Sequence, residues 1–268
     1  MARYGLPYMG SKSKIADWVL QHIPQADVLV DVFAGGCSVT HAALLNGNFK
    51  RIIANDKTDA PQLFLKAANG EFQAEKRWFS HSDFERLKDS DPYVRLIWSF
   101  GGNNQHYLYS RELEPYKKAL HEMLTAETLT ERRLKFKKVM KELQKIKGYS
   151  ERTVESAEHL ERLKGLQALQ GLNVSQLAVM QKDYKDVEIL PNSVVYADPP
   201  YKGVQTYGKE NFNHEEFYDW CRNLDVPVII SEYEMPPDFV CIAEKPIFKT
   251  LSATNNKCRS VERLFTII

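Results

Sequence analysis

The sequence has few cysteines and no long apolar segment, and both absences exclude common classes of protein. Its 268 residues include four cysteines, which lie far apart and form no CxxC pair. We therefore expect no disulfide framework and no metal site, and we predict a reducing compartment, the cytoplasm. No apolar run approaches the roughly 20 residues that cross a bilayer, and residues 1–5 lack the apolar stretch of a secretory signal. No membrane partner is expected.

Phosphate-binding glycine signatures are absent as well, although a nucleotide-binding unit is indicated. Neither GxGxxG nor a P-loop occurs, which disfavours NAD or ATP as the cofactor. Residues 28–33 are typical of a buried strand that carries Asp31, and a turn of small residues with Gly35 leads into a helix over residues 39–45. The next predicted strand ends at Asp56, where an acid is placed to bind a ribose hydroxyl pair. The pattern predicts a nucleoside cofactor without phosphates.

The most informative stretch follows a predicted strand at residues 193–197 and reads Asp198-Pro199-Pro200-Tyr201. It places an acid at the carboxyl end of a strand, where open α/β sheets gather ligands. The two prolines fix the backbone and remove two donors, so their carbonyls are free to act as acceptors. A carboxylate, a rigid carbonyl and an aromatic ring together suit the exocyclic amine of a flat heterocycle. The alternative is a plain proline turn that closes the strand and opens into a loop at Lys202-Gly203.

Residues 58–175 differ from the rest of the chain in having long helical patterns with many charges. Strands return at residues 192–197, 226–231 and 262–268. The simplest architecture is an α/β domain, residues 1–57 and 176–268, interrupted by a helical insert at residues 58–175. Helical spacing predicts one helix with a single apolar stripe, formed by Phe136, Val139, Met140, Leu143 and Ile146. It predicts another helix, capped near Ser150, that contains Leu160, Leu163, Leu166 and Leu169.

The net charge of +1 argues against a nucleic-acid partner, but the basic residues are concentrated in one segment. Residues 132–147 carry eight bases and one acid, the footprint expected of phosphate contacts. Lys137, Lys138 and Lys141 are the candidate contacts, and a solvated helix face is the alternative. Asn103 and Asn104, in a Gly-Asn stretch, are candidates for reading adenine edges, although such stretches are also common as plain loops.

Five motifs occur together in the order of a known family. They are Tyr8-x-Gly-x-Lys12, Asp31-x-Phe-x-Gly-Gly, Asn55-Asp56, Asp183-Tyr184 and Asp198-Pro-Pro-Tyr201. The chain thus resembles the Dam-type DNA adenine methyltransferases, which use S-adenosylmethionine. The resemblance implies a Rossmann-like methyltransferase sheet with a helical DNA-recognition insert. It also implies transfer of a methyl group to the exocyclic amine of an adenine flipped out of double-stranded DNA.

The resemblance assigns a role to each motif. Tyr8 and Lys12 would hold the methionine end of the cofactor, Phe33 and Gly35 would line its pocket beside Asp31, and Asp56 would bind the ribose. Asp183, with Tyr184, would contact the cofactor's adenine. Asp198 and the Pro199 carbonyl would accept hydrogen bonds from the target amine, and Tyr201 would stack on the extruded base. Cys37 departs from the pattern, because another glycine is frequent there.

Two alternatives stay open at this point. The same fold could act on RNA, on the amine of cytosine or on a protein glutamine. Asp198 favours adenine, because the glutamine-modifying relatives typically carry asparagine there and the cytosine-modifying ones serine. The second alternative is an inactive DNA-binding relative. A restriction endonuclease is a candidate partner, and the sequence assigns neither a recognition sequence nor an oligomeric state.

Overall fold

The structure is a computed structural model that describes residues 4–202, 212–250 and 257–267. Within these ranges seven strands form one sheet: β1 (Val28–Asp31), β2 (Arg51–Asn55), β3 (Leu177–Met180), β4 (Ser193–Ala197), β5 (Val228–Glu232), β6 (Phe239–Thr250) and β7 (Lys257–Ile267). The α-helices are α1 (Ala16–Gln21), α2 (Ser38–Asn46), α3 (Ala60–Ala68), α4 (His81–Leu87), α5 (Pro92–Ile97), α6 (Glu114–Leu124), α7 (Leu129–Leu143), α8 (Glu151–Glu155), α9 (Glu158–Gln167) and α10 (His214–Arg222).

The strand order of the sheet is β3-β2-β1-β4-β5-β7-β6. Strands β1 to β5 run parallel, and β7 lies antiparallel between β5 and β6. The order reverses between β1 and β4, which pair directly, with Asp31 opposite Tyr196. In such sheets ligands bind beyond the carboxyl ends of the strands at the point of reversal. This topology confirms the predicted α/β fold with a Rossmann-like methyltransferase sheet.

Most predicted elements are present, with corrected ends. β1 stops at Asp31 rather than at residue 33, because the chain turns there, although the Val32 amide still donates to the Tyr196 carbonyl at 3.1 Å. β3 and β6 were not predicted. All four residues of β3 are half-buried at the edge of the sheet, and the sequence of β6 contains Pro246 and several charges. Both strands contain a short apolar run, residues 177–180 in β3 and 239–243 in β6, and the prediction overlooked them.

Two compact units divide the described residues. The sheet unit contains residues 4–5, 11–65, 173–202, 212–250 and 257–267, and the helical unit contains residues 6–10 and 66–172. The role predicted for the insert, DNA recognition by residues 58–175, stays a prediction. In the described part of the chain, no helix has both the length and the apolar character needed to cross a bilayer.

The core of the helical unit corrects two predictions about its helices. Val139 of α7 is buried, and Leu143 and Ile146 are half-buried, but Phe136 is 52% and Met140 39% exposed. The prediction of a single apolar stripe is therefore wrong, because the buried face of α7 is narrow. The cap predicted near Ser150 belongs to α8, where the Ser150 hydroxyl accepts from the Thr153 amide at 3.3 Å. The helix that contains Leu163 and Leu166 is α9, which begins after Ala157 without a side-chain cap.

Candidate active site

Acidic residues follow four neighbouring parallel strands at the same edge of the sheet. Asp31 ends β1, Asp56 follows β2, Asp198 follows β4, and Glu232 ends β5. The carboxyl ends of parallel strands meet at one edge, so the sheet itself brings these acids together. Asn55 fixes the end of β2, since its buried amide donates to the carbonyls of Val32 and Lys182, each at 3.1 Å.

Lys12 connects Asp198 to a second carboxylate on the antiparallel strand β7. The Lys12 ammonium donates to Asp198 Oδ1 at 2.7 Å and lies 3.3 Å from Glu262 Oε1. It also lies 4.7 Å from the centre of the Tyr201 ring, and the Tyr201 hydroxyl donates to Glu262. The four side chains form a closed network that joins the segment before α1 to β4 and β7. We call it the Lys12 network.

Burial and charge together set the protonation of this network. Burial raises the pKa of Asp198, the Lys12 ammonium opposes that rise, and the carboxylate of Glu262 adds to it. For Lys12, burial lowers the pKa, but the carboxylates of Asp198 and Glu262 outweigh burial and raise it overall. The lysine therefore keeps its positive charge between two carboxyl groups. A retained cation next to Asp198 favours the ionised form of that carboxyl, which is the form that accepts hydrogen bonds.

The two prolines of the motif have different surroundings. The Pro200 carbonyl lies 2.9 Å from His214 Nε2 and is engaged by that ring. His214 begins α10, which follows the motif in the chain. Because proline has no amide N–H, neither residue competes as a donor for the acceptors nearby. Pro199 is thereby the better candidate for a carbonyl that accepts from a substrate amine.

The turn after β1 has the tight backbone that its small residues predict. The Gly35 amide donates to Asp56 Oδ2 at 2.9 Å, and Asp56 Oδ1 accepts from the Thr58 amide at 2.8 Å and from its hydroxyl at 2.7 Å. Cys37 has a left-handed backbone with φ 59° immediately before α2. A residue with a Cβ in that conformation costs roughly 1–2 kcal/mol, which explains why a glycine suits the position. Cys37 is nonetheless accommodated, with its side chain fully buried.

Asp31 offers a buried acceptor at the crossover of the sheet. It is 1% exposed, and its Oδ2 accepts from the Thr40 hydroxyl at 2.7 Å. Its Oδ1 has no hydrogen-bond partner among the described residues. Burial raises the pKa of Asp31 to about 7. A buried carboxyl with one unused oxygen fits a ligand that carries a donor group, such as the amino group or the ribose hydroxyls of a nucleoside cofactor.

Rings and charges surround the other cofactor candidates. The ring of Tyr184, which is buried, lies 5.3 Å from that of Phe33, and both pack against Phe217. The Asp183 carboxylate accepts from the Lys185 amide at 3.1 Å and pairs with Lys57 at 3.0 Å. Burial would raise the pKa of Asp183, but these two partners outweigh it and lower the pKa. Phe33 and Tyr184 thus form one wall of packed rings beside an ionised Asp183.

Comparison with known proteins identifies the family. The model of one protein family, the D12 class N6 adenine-specific DNA methyltransferases, matches residues 8–233 of this chain. The chain belongs to this family. Among curated proteins, the type II methyltransferase M2.HphI of Haemophilus parahaemolyticus is 42% identical over 50 residues, which are 18% of this chain and 14% of the relative. The matched stretch is thus a small part of that relative's length.

A solved structure from Haemophilus influenzae, provisionally named a methylase, has 14% identity and a TM-score of 0.33 over 96% of both chains. The fold of this D12-class chain is assigned from its own strand order rather than from that alignment.

The remaining predicted site residues of this D12-class chain lie in the helical unit. Tyr8 belongs to the segment 6–10. This segment packs closely on Gly102, since a Cβ added to Gly102 would lie 3.4 Å from the Pro7 carbonyl oxygen. Asn103 Oδ1 already accepts from the amides of Gln105 and His106, at 3.0 and 3.1 Å. Asn104 has a left-handed backbone with φ 62°. The amide oxygen of Asn103 therefore shapes its own loop.

The lysines of α7 differ in how they are engaged. Lys137, Lys138 and Lys141 are all exposed, and Lys138 also pairs with Glu122 of α6 at 2.7 Å. Thr128 and Glu131 begin the helix with a reciprocal capping box.

The position of Gly203, the second residue of the predicted Lys-Gly loop, lies outside the described residues.

Sequence analysis missed two acids of this D12-class site, Glu232 and Glu262. Glu232 is 1% exposed and accepts from the amides of Lys202, at 3.2 Å, and Tyr233, at 2.7 Å. Burial raises its pKa to about 7. The signal for Glu232 was present, because it ends a parallel strand as Asp31 does. Glu262 is buried within the antiparallel β7, and no comparable local pattern marks it.

The N-terminal segment positions Lys12 by binding to the start of α2. The Tyr4 amide donates to Ser13 Oγ at 2.8 Å, and the Gly5 amide donates to His41 Nδ1 at 3.0 Å. Burial lowers the pKa of His41 to about 4, so its ring is a neutral acceptor at neutral pH. Gly5 has φ 70°, and a Cβ there would lie 2.4 Å from the Gly36 carbonyl oxygen. Close contact with the Gly35–Cys37 turn thus requires glycine at position 5.

Replacing Gly5 with alanine is expected to destabilise the protein, because the new methyl group would clash with backbone and the backbone would be strained. Overpacking of this kind costs about 1–3 kcal/mol beyond the strain itself. Gly47→Ala is the matched control, since Gly47 has φ 65° but no atom within 4 Å of the added Cβ. Urea unfolding measures both variants. Equal losses of unfolding free energy would show that the clash with the turn contributes nothing.

Proposed function

We propose that this chain is a site-specific DNA adenine N6-methyltransferase that uses S-adenosylmethionine. The observation that carries the proposal is the position of Asp198, delivered by β4 to the carboxyl edge of the sheet and held by Lys12 at 2.7 Å. The Asp-Pro-Pro-Tyr sequence around it lies within the residues that match the D12 class. Asp31, Asp56 and Asp198 line the same edge of the sheet, so a cofactor and an amine acceptor can meet there.

S-adenosylmethionine, when bound, supplies an electrophilic methyl group, so the chain needs to prepare only the accepting amine. Asp56 would accept from the ribose hydroxyls, and Asp31, through its unused Oδ1, from a donor of the cofactor. Phe33 and Gly35 would line the pocket, and the remaining contacts within the sheet unit would come from Lys12, Asp183 and Tyr184. The cofactor contact of Tyr8 stays a prediction from the sequence. These residue types fit a ligand that is rich in donors and has a flat ring.

Asp198 and the Pro199 carbonyl would act directly on the target amine. The lone pair of an adenine amine is delocalised into the ring, which makes the nitrogen a poor nucleophile. Two acceptors on the amine hydrogens favour a tetrahedral nitrogen with a directed lone pair. They also stabilise the positive charge that develops on the nitrogen, which is how preorganised electrostatics accelerate a reaction.

Tyr201 would receive the base after it leaves the duplex. Extruding a base costs a few kcal/mol, and stacking on an aromatic ring returns about 1–3 kcal/mol. The hydroxyl of Tyr201 is held by Glu262, and its ring lies 4.6 Å from that of Tyr233, nearly perpendicular to it. A ring held by its hydroxyl and by a neighbouring ring loses little conformational entropy when the base arrives.

The substrate is tested by incubating the protein with tritiated S-adenosylmethionine and, in parallel, double-stranded DNA, RNA and a protein mixture. Label in DNA alone is the expected result. Label in RNA or protein alone would move the substrate and contradict the proposal. Binding of the cofactor without transfer to any of the three would favour an inactive DNA-binding relative.

We extend the proposal to the cellular setting of the enzyme. It would act in the cytoplasm on double-stranded DNA, and a restriction endonuclease is a candidate partner because one relative is a type II methyltransferase. Mapping the modified sites by single-molecule sequencing would give the recognition sequence. Methylation confined to one short sequence is expected, and methylation without sequence preference would contradict site specificity.

Neutralising Lys137, Lys138 and Lys141 together, each to glutamine, is expected to weaken DNA binding and its dependence on salt. Each lost phosphate contact lowers the slope of log affinity against log salt by about 0.9, so three contacts would lower it by about 2 to 3. The matched control replaces three exposed lysines elsewhere, Lys50, Lys66 and Lys76. An unchanged slope in the α7 variant, measured by fluorescence anisotropy, would exclude α7 as the phosphate-binding surface.

A further inference from the structure

Glu262 lies in the site without belonging to any of the sequence motifs. The residues that match the D12 class end at 233, and Glu262 is contributed by β7, which runs antiparallel to β5. It is 2% exposed, so its carboxylate is almost completely removed from water. A buried carboxylate is costly unless charges or donors compensate for it. Its partners therefore indicate what it does.

The register of the sheet places Glu262 on the same face as Tyr196 of β4. Leu264 of β7 lies opposite Ser231 of β5, and Glu262 shares the face of Leu264 because side chains alternate along a strand. On that face Ser231 Oγ lies 2.9 Å from the Tyr196 hydroxyl of β4, two residues before Asp198. The arrangement of β4, β5 and β7 thus fixes the distance between Glu262 and the Asp198 motif.

Glu262 contacts Lys12 and Tyr201. Lys12 also contacts Asp198, and Tyr201 belongs to the same motif as Asp198. The Lys12 ammonium lies 3.3 Å from Glu262 and 2.7 Å from Asp198, and the Tyr201 hydroxyl donates to Glu262. Without Glu262, the Tyr201 hydroxyl would lose this acceptor, and the charge of Lys12 would be balanced by Asp198 alone. A lysine shared between two carboxylates binds each of them less completely than a lysine devoted to one. Glu262 therefore affects how available Asp198 is as an acceptor.

We propose that Glu262 is a positioning residue for methyl transfer, which fixes the Tyr201 ring and shares the Lys12 ammonium with Asp198. This inference rests on the proposed function, in which Asp198 accepts from the target amine and Tyr201 stacks on the base. Glu262 itself touches neither the amine nor the cofactor in this scheme. It acts through Lys12 and Tyr201.

The charge of Glu262 gives its role a signature that a purely structural residue would lack. Glu262 is one of the groups that raise the pKa of Asp198, whereas Lys12 lowers it. Removing the charge of Glu262 is thus expected to lower the pKa of Asp198. The titratable groups that face Asp198 come from strands β1, β4, β5 and β7 and from the segments before α1 and after β4. They are Lys12, Asp31, Tyr196, Tyr201, Glu232 and Glu262.

The decisive variant is Glu262→Gln, which keeps the shape and an acceptor for Tyr201 but removes the charge. We expect kcat for DNA methylation to fall about 10- to 100-fold, as for a misplaced catalytic group, with a smaller change in KM for DNA. The acidic limb of the kcat profile should move to lower pH. Glu244→Gln is the matched control, because Glu244 is an exposed carboxylate on β6 that pairs with Arg263 at 2.7 Å. It should leave both quantities unchanged.

A titration that does not depend on turnover separates this proposal from the proposed function. In protein with 13C-labelled aspartate, the Asp198 carboxyl is assigned by its loss in Asp198→Asn and titrated by NMR without any ligand. Its pKa is expected to fall in Glu262→Gln and to stay unchanged in Glu244→Gln. Glu262→Asp keeps the charge on a shorter side chain, so it should keep the Asp198 pKa closer to that of the wild type.

The outcomes are distinct. If the wild type methylates no substrate, the proposed function fails, and the titration still tests the coupling of Glu262 to Asp198. A Glu262→Gln protein with wild-type kcat and an unmoved Asp198 pKa would overturn the proposal. Loss of activity with an unmoved pKa would overturn it as well, since Glu262 would then only support the fold.

Discussion

Replacing Asp198 with asparagine is expected to reduce kcat for DNA methylation by about 100- to 1000-fold, the range for losing one preorganised electrostatic contact. The asparagine amide has the same shape but presents a donor where the carboxylate presents an acceptor, so it cannot hold the amine in the same way. The affinity for S-adenosylmethionine should change much less, because Asp56 and the Gly35 turn are untouched. Tritium transfer measures the first quantity and calorimetry the second.

The matched control for this variant is Asp27→Asn. Asp27 lies just before β1, at the opposite edge of the same sheet, and pairs with Lys50 at 3.0 Å on the surface. It should keep wild-type turnover. Near-normal turnover of Asp198→Asn would remove Asp198 from the catalytic role, whereas equal losses in both variants would show a general effect of charge on the sheet.

Replacing Asp56 with alanine is expected to weaken the binding of S-adenosylmethionine by about 10- to 100-fold, as for the loss of hydrogen bonds to a charged group. Two effects add. The ribose hydroxyls lose their acceptor, and the Gly35 amide, which donates to Asp56 at 2.9 Å, loses its partner. The turn that lines the pocket then becomes less fixed. Calorimetry with the cofactor alone measures the affinity without requiring turnover.

Thr58→Val separates the two roles of the Asp56 carboxylate. The Thr58 hydroxyl donates to Asp56 Oδ1 at 2.7 Å, and valine removes this hydrogen bond while the carboxylate stays in place. The affinity for the cofactor should fall far less than in Asp56→Ala. Unchanged affinity in Asp56→Ala would refute the ribose contact, and an equal fall in both variants would assign the loss to the turn instead.

The parallel part of the sheet could be predicted from the sequence because its signals are local. β1, β2, β4 and β5 are buried on both faces and appear as short apolar runs. An acid that directly follows such a run must lie at the carboxyl edge, whatever the remainder of the chain does. For this reason the local sequence alone predicts that Asp31, Asp56 and Asp198 lie at one edge.

The antiparallel part of the site could not be predicted, because its contacts join distant positions. Glu262 meets Tyr201 across 61 residues of sequence and meets Lys12 from the other end of the chain. A glutamate within β7 carries the same local pattern whether it faces solvent or a buried lysine. Pairing of β7 between β5 and β6 decides the matter, and that pairing depends on the whole sheet.

The prediction of one apolar stripe on α7 was wrong for a related reason. Helical spacing identifies Phe136, Val139 and Met140 as neighbours on one side of a helix, but it does not give the width of the contact with the next helix. In the structure Val139 is buried, while Phe136 and Met140 stay partly exposed. The exposed lysines Lys137 and Lys141 are therefore accompanied by apolar side chains on the same helix.

The most direct test of the central claim is the identity of the methylated base. Unmethylated double-stranded DNA is incubated with S-adenosylmethionine and the wild-type protein or Asp198→Asn, then digested to nucleosides and analysed by mass spectrometry. N6-methyladenine formed by the wild type and almost absent with the variant is the predicted result. Methylation of cytosine, or N6-methyladenine formed equally by both proteins, would contradict the account of the Asp198 site.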